Sequence, residues 1–210
     1  MIFFIVFLCG AAVMSFEILG SRVLAPWFGN SIFVWGSLIS VFLGGLSAGY
    51  FLGGKAADMR PSTRKLGFII LVPGLLFLTF PLYSPWISEG IFAMDLGTRV
   101  SSLLASMCLF FAPSVFLGAV SPYTARLSIS SLHTSGSTIG TLYALSTLGS
   151  IAGTLLTSFF LIALAGVKSL IMAEGLLLTA VSIPLLLMNQ TPSTGDASPV
   201  EKQVDPPFPT

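Results

Sequence analysis

Residues 32–54 read IFVWGSLISVFLGGLSAGYFLGG, 23 consecutive residues without an Asp, Glu, Lys or Arg. At about 1.5 Å of rise per residue this run makes a helix of roughly 34 Å, enough to cross a hydrocarbon core of about 30 Å. Its small residues are regularly spaced. Gly45, Gly49 and Gly53 recur at every fourth position, and Gly36, Ser40, Gly44 and Ala48 form a neighbouring ridge. Small residues at that spacing let helix backbones approach closely in lipid, where packing rather than water exclusion drives association. The stretch reads as a membrane helix shaped to pack against another.

Five further apolar runs surround it, near 2–25, 66–88, 101–123, 138–163 and 168–188. The pattern predicts an all-α polytopic membrane protein, a six-transmembrane-helix bundle over 1–188. Composition agrees. Hydrophobic residues make up 54% of the chain and mean hydropathy is +0.96, with 8% charged residues against about 25% in soluble domains. A net charge of +1 gives no footprint for nucleic acid, and the lipid bilayer is the expected partner.

The opening MIFFIVFLCGAAV is apolar like a signal peptide but lacks a basic leading region and runs on too long. It reads as a retained helix. Cys9 and Cys108 lie far apart in apolar runs, without metal-ligand spacing, and read as small hydrophobes. Basic residues suggest the orientation. Six spans put Lys55, Arg60, Arg64, Lys65, Arg126 and Lys202 on one side, against Arg22, Arg99 and Lys168 on the other. Both termini are therefore expected in the cytoplasm, in a bacterial inner membrane. From residue 189 the chain reads NQTPSTGDASPVEKQVDPPFPT, too poor in apolar surface to offset the entropy of ordering, and is expected to be a disordered cytoplasmic tail.

Segment five repeats the small-residue texture, with Gly149, Gly153 and Thr157 beside Ser150, Thr154 and Ser158. Segments two and five lie three spans apart and run in opposite directions, an arrangement compatible with an inverted three-plus-three repeat. Pro73, Pro81, Pro85, Pro113, Pro122 and Pro184 fall inside apolar runs, where proline shapes a membrane helix. Pro26, followed by Trp27 and Phe28, is expected to close the first helix at the interface.

Two acids break the apolar pattern, Glu17 in the first run and Glu174 in the last. A charge within hydrocarbon costs about 2.5–3.5 kcal/mol on insertion scales and usually faces a partner or a cavity. With alternating spans the two carboxylates sit at similar depth. Either they line one polar cavity that admits a cation or amine, or each is satisfied by neighbouring Ser, Thr or basic residues or is simply protonated. Arg22 is the tempting partner for Glu17, but five residues place them about 140° apart around a regular helix. In the 2/3 loop, GGKAADMRPSTRKLG, Asp58 with Arg60, Arg64 and Lys65 reads either as a solvated positive loop or as a conformational latch of the major facilitator kind. His133 reads as a solvated loop residue. The chain contains no G-x-G, P-loop or H-E-x-x-H, so no catalytic residue, metal site or cofactor is assigned.

The stretch FEILGSRVLAPWFGNSIFVWGSLISVFLGGLSAGYFLGGKAADMRP resembles the membrane region of the transmembrane spermidine synthase-like proteins, also labelled fused major facilitator/spermidine synthase. FAPSVFLGAVSPYTARLSI and GSTIGTLYALSTLGSIAGTLLTSFFLIALAGVKS resemble that family's fourth and fifth spans. The matching positions include Glu17, Arg22, Asp58, Gly118, Pro122 and Arg126 and the paired glycines above. The resemblance implies a bundle like half a major facilitator fold. In fused members an aminopropyltransferase domain follows the last span, whereas here the short tail follows. The expectation is a non-catalytic membrane module that anchors, or works with, a separately encoded cytosolic polyamine-synthase-like subunit. The alternative is a half-size transporter or exporter of small cations or amines, acting as a homodimer.

Overall fold

The computed structural model describes residues 1–59, 61–129 and 135–188. Arg60, His133, Lys202 and the expected tail fall outside these residues. The described residues are almost all helical, and none of them is in a strand. Helix α1 spans Ile2–Phe28, α2 Ile32–Met59, α3 Thr63–Ala93 and α4 Gly97–Ser128. The fifth span begins as α5, Ser135–Leu156, passes through a π-helical turn at Thr157–Leu161 and ends in α6, Ile162–Leu164. Helix α7, Val167–Leu187, completes six helices long and apolar enough to cross a membrane.

Each apolar run becomes a helix, and most helices outlast their run. Helix α3 covers 63–93 where the run covers 66–88, because backbone hydrogen bonding continues into the interface after the need for apolar side chains has ended. Pro26 does not close α1. The helix continues to Phe28, and the following Gly29 ends it with φ of 74°, its N–H bonded to the Ala25 carbonyl. Left-handed backbone just past a helix favours glycine, so Gly29 rather than Pro26 is the stop.

Three close helix pairs organise the bundle, α2 with α4, α1 with α5 and α3 with α7. Glycine makes each of them. A Cβ on Gly49 or Gly53 would fall on the α4 backbone at Val115 or Ala119, and one on Gly45 would meet Ser114. Cβ atoms on Gly149 and Gly153 would strike the Phe7 and Ala11 carbonyls of α1. Gly74 and Gly175 face each other between α3 and α7. By contrast Gly36 and Gly44 meet nothing and lie on an open face of α2.

At the centre Phe16 of α1, fully buried, packs against Phe42, Phe77, Phe80 and Phe110, with ring centroids 4.0–5.8 Å away. Three other helices therefore meet on one ring of α1. Its two sequence neighbours, Ser15 and Glu17, are turned about 100° to either side. That divergence places the polar residues of α1 in different surroundings.

Candidate functional site

Ser15 points to the seam where α1 meets the π turn and α7. Its hydroxyl lies 2.6 Å from the Thr157 hydroxyl and donates to Oε1 of Glu174. Ser15 and Thr157 are buried, and Glu174 is half-buried with its second oxygen, Oε2, closed off from solvent and without a hydrogen-bond partner among the described residues. These three residues stand at the wall of a cavity of about 260 Å³ between α1, α5 and α7. The rest of the lining is apolar, with Phe7, Leu8, Ala11, Leu156, Leu161 and Leu177 among it.

The backbone explains the cavity. Gly153 brings α5 onto the Ala11 carbonyl, and four residues later the helix widens into a π turn in which the Ile162 N–H bonds to the Thr157 carbonyl. The extra residue per turn shifts the register of the span, so Thr157 stays against α1 while Leu161 moves to the cavity wall. Beyond the turn α5 and α7 have no extensive contact, and α1 floors the gap between them. A carboxylate with one solvated-like partner and one bare oxygen, set in an alkyl-lined space, is suited to hold a single positive charge or a proton.

Glu17 does not reach this space. Two residues from Ser15, it is turned about 200° around α1. It shares its face of the helix with Gly10 and Met14, which line a recess of about 120 Å³ with Tyr50 of α2 and Ser146 and Ser150 of α5. It is half-buried and has no hydrogen bond or ion pair among the described residues. The two acids expected to share a cavity are thus held apart by the helical turn, and Ser15 occupies the place given to Glu17. Arg22 is exposed and makes no ion pair with Glu17. It lines one recess with Asn30, Trp35 and Ser158 and another with Lys168.

At the Met1 end, Asp58 at the end of α2 pairs with Arg126 at the end of α4, Oδ1 to Nε at 3.8 Å, both side chains well exposed. Arg64 and Lys65 stand exposed on the first turn of α3. Tyr123, fully buried, fixes the start of α3 by accepting from the Ser62 N–H at 3.0 Å and donating to the Ser62 carbonyl at 3.3 Å. Sequence reasoning missed Ser15 as a site residue and took Thr157 for part of a packing ridge. No signal in the sequence marked either one: Thr157 lies in a span rich in small and hydroxyl residues, and Ser15 is one serine among several in the spans.

Comparison with family models, with curated proteins and with solved structures returns no match to this chain.

Proposed function

We propose that the chain is a membrane module that binds a hydrophobic monocation, an ammonium on an apolar body, at Glu174. One observation carries the reading: Glu174 lines an apolar cavity, and its Oε2 is buried without a hydrogen-bond partner among the described residues while Ser15 already satisfies Oε1. An unpaired charge in hydrocarbon costs about 2.5–3.5 kcal/mol, so the carboxylate is neutralised by a proton or by a bound cation. It cannot take both. Binding of an ammonium to the protonated acid forms the ion pair and releases one proton, which makes the site an exchanger of amine for proton.

The lining also argues for the size and charge of the ligand. A polyamine would bring two or more ammonium groups to a space with one carboxylate, leaving the others on Ala and Leu side chains. That favours a monoamine over spermidine, and it separates this reading from the polyamine chemistry implied by the resemblance. Translocation would call for two copies, since α2 and α5 make no extensive contact within one chain. The expected arrangement keeps both termini in the cytoplasm.

The test is proton release. Adding n-hexylamine to the full chain in weakly buffered nanodiscs should acidify the medium by one proton per chain bound, and spermidine should not. Hexylamine that binds without proton release, or fails to bind, contradicts the reading.

A further inference from the structure

A second cavity lies on the same α1–α7 seam, toward the end of the bundle remote from Met1. It measures about 250 Å³ and is lined by Arg22, Trp27, Phe80, Ser84, Lys168 and Ile171, among others. Two cations from different helices border it, and no acid does. Neither Arg22 nor Lys168 makes an ion pair among the described residues. Glu89 and Asp95, acids at this end of the chain, are exposed and absent from its lining.

Ser84 adds an independent sign. It is only 4% exposed, lines the cavity and makes no hydrogen bond among the described residues. Some helical hydroxyls here return their proton to a carbonyl one turn back, as Ser114 does to Phe110 and Thr124 to Val120, while Ser88 and Ser106 are buried without a partner among the described residues and line neither cavity. Ser84 differs from these in lining the cavity with its hydrogen-bonding capacity unused. Lys168 also stands in the first turn of α7, where Gly166 caps without a side chain and no acid is present. The free N–H groups and the positive end of the helix dipole there add to the field of the two cations.

An anion between two like charges beside one cavity offsets their repulsion. A phosphate oxygen accepts in the plane of a guanidinium, from an ammonium and from a hydroxyl at once, while Trp27 and Phe80 offer an apolar surface to whatever chain the phosphate carries. We infer that this cavity binds a phosphate-bearing anion, held by Arg22, Lys168 and Ser84. The shared chemistry belongs to an anionic phospholipid headgroup and to a soluble phosphate ester alike. The site is separate from the Glu174 cavity and of opposite charge preference, so it stands or falls independently of the amine reading.

The experiment titrates the full chain in detergent with short-chain dihexanoylphosphatidylglycerol, with sn-glycerol phosphate and with dihexanoylphosphatidylcholine, reading binding by calorimetry. Saturable binding of the first is expected, weakened roughly tenfold or more by Arg22→Gln and by Lys168→Gln, since each removes a charge-assisted bond. Equal binding of glycerol phosphate assigns the site to soluble esters, and preference for the lipid assigns it to a headgroup. Lys55→Gln, at the other end of the bundle, should change nothing. Arg22 and Lys168 are both exposed, so both variants should fold, and Ser84→Ala should weaken binding as well. No binding of either anionic probe, equal binding of phosphatidylcholine, or binding unchanged in both cation variants overturns the inference.

Discussion

The Ser15 hydroxyl of α1 donates to Oε1 of Glu174 on α7, 159 residues further along the chain, and touches the Thr157 hydroxyl of the π turn at 2.6 Å. One serine thereby joins three spans at a point where the surrounding side chains are alkyl. Removing it leaves an acid oxygen and a hydroxyl without their partner. Ser15→Ala should lower stability against denaturation in mixed micelles by about 1 kcal/mol, the scale of interhelical hydrogen bonds in membrane proteins. Ser21→Ala is the control, because Ser21 bonds only to the Ile18 carbonyl of its own helix, and it should leave stability nearly unchanged.

A buried carboxylate kept for function differs from one kept for folding. Glu174→Leu removes a polar group from an apolar wall, and such replacements are often neutral or stabilising. The variant should unfold at the same or a higher denaturant level than the wild type while losing hexylamine binding. A loss of stability above about 2 kcal/mol, in the range seen when a buried polar network is broken, would instead mark Glu174 as a structural residue.

The glycines divide by what they face. Gly53→Val places a branched side chain on the backbone at Ala119, and overpacking of that kind costs on the order of 1–3 kcal/mol. Gly36→Ala and Gly44→Ala meet open space and should gain up to about 1 kcal/mol from helix propensity. Unfolding measurements on the three variants should therefore give opposite signs.

The Asp58–Arg126 pair is exposed at both partners. Pairs of this sort contribute about 0–1 kcal/mol and are screened by salt. Asp58→Asn should change the unfolding midpoint little, and whatever change it makes should vanish at high ionic strength. A large, salt-insensitive effect would point to the latch role for the ends of α2 and α4.

The six helices were legible because hydrocarbon imposes a length and an apolar composition on every span, and Gly45, Gly49, Gly53, Gly149 and Gly153 announced helix contacts by their spacing. The identity of the partner helices was not legible, since the four-residue spacing names a face and not what it meets. Glu174 stood out as a charge in an apolar run. Ser15 did not, because one serine resembles any other until the π turn fixes which residue of the fifth span lies opposite. That turn, in TSFFL, carries no Gly or Pro to betray it. Glu17 attracted attention for its charge, but its register turns it away from the seam.

Glu174 rather than Glu17 is the proposed cation-binding acid. Hexylamine binding to nanodisc-embedded wild type, Glu174→Gln and Glu17→Gln measures this directly. Glu174→Gln should abolish saturable binding, and Glu17→Gln should bind as the wild type does. Binding that survives Glu174→Gln and is lost in Glu17→Gln would contradict the assignment.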